Sequence, residues 1–284
     1  MNWKLIILSK RIFEESWFRN KILEGWFGMK IDRVKAKKVF DDYVKNYNSN
    51  DEKIKLKIDH TYRVSDLCEK IALSLGMNNE DVDIAWLTGL LHDIGRFEQV
   101  KRYGTFNDPK SVDHAKLGSS ILFSEGKIKE FIVDNSEYDL IKSVIENHNE
   151  YRLPENISNR CKTFSNILRD ADKIDIFKVN VIVPAEEIYN ITSEELYTSE
   201  ITKEVLENFK KKDTILRALK KSAVDNIVGH ISLLFGLVYD ESIKIVKEQK
   251  YLNQILEFKS KNDNTNKQFE AVREVVEKYM KDRT

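Results

Sequence analysis

His92 and Asp93 stand side by side in Leu87-Thr88-Gly89-Leu90-Leu91-His92-Asp93-Ile94-Gly95-Arg96. The stretch is otherwise apolar, with Ile84, Ala85, Leu87, Leu90, Leu91 and Ile94 covering most of a helical wheel. A carboxylate in such surroundings is costly unless it is paired or coordinates a metal. An imidazole beside it makes metal the natural compensation, since both groups bind first-row divalent ions. The pattern predicts a buried helix that ends at Gly95 and puts Arg96 at the mouth of a pocket. A guanidinium there suits bidentate contact with phosphate or carboxylate.

His92 is not alone. His60 heads a stripe formed by Val64, Leu67, Cys68, Ile71, Ala72 and Leu75, and is therefore placed on a buried helical face. His114 shares a face with Leu117, Ile121 and Leu122, and His148 follows Ile141, Val144 and Ile145 at helical spacing. Asp172 lines up with Phe164 and Leu168 at i+4 steps. Each histidine alone reads most simply as a satisfied core residue. Together, four histidines and two carboxylates on five helices would need many separate hydrogen-bond solutions, whereas a metal centre satisfies all of them. Six ligands exceed one tetrahedral site and suggest two ions sharing a carboxylate.

These residues need helices to carry them, and the chain supplies little else. Of its 284 residues only three are proline and ten glycine, and the long segments have helical period. Helices are expected over Lys30–Tyr47, from Lys55 to Gly76, over Val82–Arg96 and Asp139–His148, and from Ser158 to Ile176. Ser111 is the expected N-cap of the helix carrying His114, and Gly118 would let another backbone approach it. Phe97 to Pro109 reads as a polar loop forming a pocket wall. Residues Val179 to Val183 fit either a short extended piece or more helix. From Ser193 the chain reads as helical to its end. The division is a 1–28 extension holding Trp3, Trp17 and Trp26, a metal-binding helical domain over 29–190, and C-terminal helices over 191–284 packed on it.

Lys plus Arg equals Asp plus Glu, so the formal net charge is zero and no general nucleic-acid or membrane-surface binder is expected. Two distant cysteines, Cys68 and Cys161, suggest a reducing compartment. Leu5-Ile6-Ile7-Leu8 is too short for a secretory or membrane segment, so a cytoplasmic protein is expected.

His60-Thr61-Tyr62-Arg63-Val64, Leu91-His92-Asp93-Ile94-Gly95-Arg96 and Asp170-Ala171-Asp172-Lys173-Ile174-Asp175, in that order, resemble the ligand motifs of the HD-domain metal-dependent phosphohydrolase superfamily. The added His114 and His148 resemble its two-metal subgroup. The likeness covers roughly Lys55 to Asp175. It implies an all-α HD-domain bundle, here with additional C-terminal helices, and two divalent transition-metal ions (Fe, Mn, Ni, Co or Zn). By position, His60, His92, Asp93 and Asp172 would hold the first ion, and Asp93 would bridge to a second held by His114 and His148. A metal-bridging hydroxide would attack a small phosphorylated substrate, a nucleotide being one candidate, with Arg96 clamping the phosphate. Arg63, Lys116, Arg102 and Arg152 are weaker substrate contacts, each with a solvated surface charge as its simpler reading. Asp175 would orient a ligand histidine, while Asp170 is a rival to Asp172, and Asp59 and Asp113 are expected to point outward. His230 is read as core, with a pocket-lining position as the alternative. The same ligand set resembles that of HD-type mixed-valence di-iron oxygenases, and a nucleotide-binding regulatory module is a third class. No Gly-Tyr-Pro motif follows the domain, and no synthetase domain for guanosine polyphosphates is visible.

Overall fold

A computed structural model describes residues 31–283, and among them there are helices and connecting turns but no strand. The tryptophan-bearing 1–28 extension lies outside the described residues. Helix α1 (Arg33–Val44) starts at Asp32, whose carboxylate accepts from the Lys35 amide. Helix α2 (Glu52–Ser74) is capped in the same way by Asp51, and α3 (Asn79–Leu91) by Asn78. Each cap gives an otherwise orphaned first-turn donor a partner. Helix α3 is apolar all round and lies in the centre, with Ile84, Ala85, Leu87, Leu90 and Leu91 all buried. It packs directly on α2: a side chain at Gly89 would sit 2.6 Å from the Ser65 backbone.

The helix predicted to run through to Gly95 stops at Leu91. His92 is still helical, but Asp93 turns to φ −105°, ψ 14°, and a new helix, α4, runs from Ile94 to Tyr103. Gly95 thus lies inside a helix rather than ending one, and much of the expected Phe97–Pro109 loop is helical, held down by buried Phe97 and Val100. The true stop is Gly104, at φ +66°.

A loop with a short 3-10 turn at Asp108–Lys110 leads to α5 (His114–Ser119). Its N-cap is Asp113 rather than Ser111. Ser111 is already engaged, accepting from Gln99 Nε2 and donating to the Asn107 carbonyl. Helix α5 meets α4 backbone to backbone: a Cβ on Gly95 would fall 2.3 Å from the His114 carbonyl oxygen and 2.6 Å from the Gly118 nitrogen. The approach expected at Gly118 therefore exists, and Gly95 is its partner.

After α6 (Ile128–Phe131) come α7 (Tyr138–Asn147) and the long α8 (Asn159–Ile182), which starts at Ser158 and takes in most of the ambiguous Val179–Val183 segment. The C-terminal part is α9 (Ala185–Tyr189), α10 (Ser193–Thr198), α11 (Lys203–Lys210), α12 (Asp225–Ile231), α13 (Asp240–Gln249), α14 (Tyr251–Leu256) and α15 (Asp263–Asp282), with turns between them. Its apolar residues, among them Val205, Phe209, Ile231, Leu252 and Phe269, join one continuous core with those of α1 to α8. No described helix is long and apolar enough to cross a membrane.

Candidate metal centre

Adjacent residues on a regular helix project about 100° apart and cannot serve one site. The break after Leu91 removes that difficulty, because Asp93 lies in the sparsely used bridge conformation common among active-site residues. His60 from α2, His92 and Asp93 from the break, His114 at the first turn of α5, His148 just past α7 and Asp172 on α8 converge on one point. They fall into two groups. His60 Nε2, His92 Nε2 and Asp172 Oδ1 form the first, with separations of 3.3, 3.2 and 3.9 Å. His114 Nε2 and His148 Nε2 form the second, 3.0 Å apart. Asp93 lies between them. Its Oδ2 faces the first group, 3.5 Å from His60 and 3.4 Å from His92. Its Oδ1 faces the second, 3.4 Å from His114 and 3.8 Å from His148.

The other ring nitrogens show what these groups require. His92 Nδ1 donates to the Gly89 carbonyl and His148 Nδ1 to the Ile145 carbonyl, both at 2.7 Å. His60 Nδ1 donates to Asp175 at 2.7 Å, and His114 Nδ1 to Asp108 at 2.6 Å. All four rings therefore turn Nε2 inward, in two close pairs beside two carboxylates. Lone pairs at 3.0 and 3.3 Å repel unless a proton or a metal cation sits between them. Burial and Lys57 oppose a charge on His60, but Asp172, Asp175 and Asp93 outweigh them and push its pKa up to about 10. Burial, together with His114 and His92, pushes His148 down to about 3, and burial lowers His114. The second pair thus rejects protons and keeps its lone pairs, as imidazole ligands of a divalent ion do. The donor set fits a divalent metal, and histidines oriented by carboxylates or carbonyls are the usual support of such ligands.

Asp93 and the four histidines are buried, while the Asp172 side chain is 21 % exposed and marks the open side. Asp172 is thus less buried than its stripe predicts. Burial alone would raise the Asp93 carboxyl, but Lys57 and His92, with hydrogen bonds from His60 and His92, hold it well below the usual range. Asp172 is likewise held low against burial by His60 and His92.

The remaining expected residues are spread more widely. Asp175 takes His60 on one oxygen and both arms of Arg63, which closes its Nε at 2.6 Å and Nη2 at 2.9 Å. Arg63 is thereby occupied away from the pocket. Lys116 is exposed and 3.4 Å from Asp113, and Arg102 pairs with Glu98. Arg152 makes a double contact to Asp213 at the surface. Asp113 caps α5 instead of pointing away, and Asp59 is exposed. Asp170 faces away from the metal ligands and accepts from the Val238 and Tyr239 amides and the Ser242 hydroxyl. His230 is bound to Asn180 and Tyr189, a group that shares no residue with the six ligands.

Arg96 Nη1 donates to Gln99 Oε1, the Phe106 carbonyl and Asp108 Oδ1, and its buried Nε lies 3.5 Å from Asp93 Oδ1 without a hydrogen bond. It therefore ties the loop before α5 to the ligand Asp93 and, through Asp108, to His114. Arg96→Ala is expected to cost about 2–3 kcal/mol of folding stability, the scale of hydrogen bonds made by a charged group. Denaturant unfolding at constant slope measures it, and an unchanged midpoint would show that the loop holds without Arg96.

Three contributors lay outside the sequence reading. Lys57 Nζ is 2.5 Å from Asp93 Oδ2. It precedes His60 by three residues, so the helical spacing puts both on one face. Asp108 orients His114, and its only advance sign is that a ligand imidazole needs an acceptor behind it. Arg169 is hydrogen-bonded to the turn after α7. Residues 213–217 are tied to two neighbouring loops: Tyr151 Oη donates to the Thr214 carbonyl, and Arg217 Nη2 to Asn107 Oδ1.

Comparison with curated proteins and with solved structures gives no match. Residues 58–177 match the family model described as HD domain, and that span contains all six converging candidate ligands together with Asp108, Arg169 and Asp175. Residues 58–177 are therefore an HD domain, a domain that implies metal-dependent hydrolase chemistry.

Proposed function

We propose that this protein is a phosphohydrolase or phosphodiesterase that holds two divalent ions and acts on a small phosphorylated molecule. The observation that carries the reading is Asp93, whose two oxygens address separate histidine pairs. His60, His92, Asp172 and Asp93 Oδ2 would hold the first ion, and His114, His148 and Asp93 Oδ1 the second. When bound, such a pair supplies Lewis acidity at the phosphoryl oxygens and lowers the pKa of a water.

The chain's own part is positioning and charge. The Nδ1 hydrogen bonds hold the four rings in one orientation before any substrate arrives. Lys57, 17 % exposed beside Asp93 and over the Phe106 ring, brings an ammonium to the cluster that suits an anionic phosphoryl group. Asp172 and Lys57 border the open side, so substrate approaches there. Leu90, Leu91, Ile94 and Leu168, close in sequence to the cluster residues, are fully buried.

Metal analysis of the full chain, with hydrolysis of chromogenic phosphomonoesters and phosphodiesters, tests the reading. Two ions per chain and hydrolysis that is lost on chelation and regained on adding metal are expected. One ion under metal-replete conditions would remove the bridging role of Asp93. Two ions with oxygen uptake and no hydrolysis would move the protein to the di-iron oxygenases.

A further inference from the structure

We propose that Arg169 is the positioning residue of the second ion's site, acting through His148; this rests on the two-ion reading above. Helix α7 ends at Asn147, and its last carbonyls have no partners within the helix. His148 occupies the C-cap, at φ −67°, ψ −33°, and Pro154 follows within a short turn. The Arg169 guanidinium, reaching across from α8, gathers these loose ends. Its Nη1 donates to the carbonyls of Asn147 at 3.0 Å, His148 at 3.1 Å and Glu150, and its Nη2 donates to that of Tyr151 at 3.2 Å. A cation at a helix C-terminus also opposes the negative end of the dipole.

His148 is thus held at two points. Its ring is fixed by the Ile145 carbonyl, and its own carbonyl by Arg169. Asn149, Glu150 and Tyr151 are exposed, and their side-chain ties are single bonds from Asn149 Nδ2 to Asp113 and from Tyr151 Oη to the Thr214 carbonyl. The backbone of His148, whose Nε2 lies 3.0 Å from that of His114, is thereby tied to α8.

Arg169, Asp172 and Asp175 follow one another at i, i+3 and i+6 on α8, which is close to a single helical face. Asp172 belongs to the first group, Asp175 orients His60, and Arg169 places the turn that carries His148. One face of one helix therefore reaches both groups, and of these three residues only Arg169 acts on the second alone.

The test is metal titration of the full chain with Co2+, followed by absorption and by stoichiometry, for Arg169→Met and Arg169→Lys. Arg169→Met keeps the length and apolar stem without donors, and Arg169→Lys keeps the charge without the fork. Arg169→Met is expected to bind one ion as the unaltered chain does and the other about 10- to 100-fold more weakly, the usual effect of removing a group behind a ligand. Its spectrum with one equivalent should match that of His114→Ala, which lacks a second-site ligand. Arg169→Lys should fall between, and it gives the same comparison if Arg169→Met does not fold. Unchanged affinity for both ions, or equal weakening of both, overturns the assignment. If the unaltered chain binds two ions and hydrolyses no phosphoester, the hydrolase reading fails while the titration still decides the role of Arg169.

Discussion

Asp93→Ala is expected to lower the proposed phosphoester hydrolysis by about 10³-fold or more, at least ~4 kcal/mol of transition-state stabilisation. It should also leave neither ion held at its original affinity. The reason is geometric: Asp93 is the single carboxylate that faces both histidine groups, at 3.4–3.8 Å. Its removal leaves three candidate ligands in one group and two in the other. The fold should survive, because the helices that meet at Asp93 are held by buried apolar residues such as Leu91, Ile94 and Phe97. Lys57 loses its partner but is near enough to solvent to turn outward. Far-UV circular dichroism, metal content and rate should be measured on the same preparation. A variant with two tightly held ions and full activity would refute the centre as described; one that loses its helical signal would show that Asp93 also supports the fold.

The second large effect concerns stability alone. Asp170 is fully buried, and its carboxylate accepts from the Val238 amide at 2.9 and 3.1 Å, the Tyr239 amide at 3.0 Å and the Ser242 hydroxyl at 2.8 Å. It caps the N-terminus of α13 from another helix. Burial pushes its pKa up, against Lys173 and these hydrogen bonds. Asp170→Ala would leave two backbone amides and a hydroxyl buried without an acceptor, at about 1–3 kcal/mol each when no water replaces it. A total loss of about 3–5 kcal/mol is expected, comparable with breaking a buried ion pair. Asp170→Asn keeps one acceptor and should lose less. Denaturant unfolding reads both, and a loss below about 1 kcal/mol for Asp170→Ala would show that α13 does not depend on this cap. The same contact ties the C-terminal helices to α8, which also carries Asp172.

The six converging candidate ligands were legible because the four histidines and Asp172 fall on apolar helical stretches, because Asp93 stands beside His92 in an apolar run, and because few other solutions satisfy so many polar groups. Asp172 was separable from Asp170 on periodicity, although what Asp170 does was not: its partners lie 68 to 72 residues away. The break at His92 was hidden for the opposite reason. An apolar run that covers the whole wheel carries no phase, so nothing in it marks where a helix stops and restarts. Ser111 and Asp113 are both good caps by type, and the choice between them was made by Gln99, which claims the serine. The arginines were the least legible. Arg63, Arg102 and Arg152 carry the same charge as a substrate contact would, yet each is spent on an acid whose position only the fold determines.

The contact between Gly95 and Gly118 has a dynamic consequence. Side chains between two helices have rotamers to exchange, and they let the helices shift by a few tenths of an ångström. Here nothing lies between the backbones, and the space that a Cβ on Gly95 would need is already filled by the His114 carbonyl oxygen and the Gly118 nitrogen. The segment bearing His92 and Asp93 and the helix bearing His114 therefore move as one rigid block. Three of the six groups arrive with their spacing already set, so the reorganisation left for the reacting state falls mainly on α7 and α8.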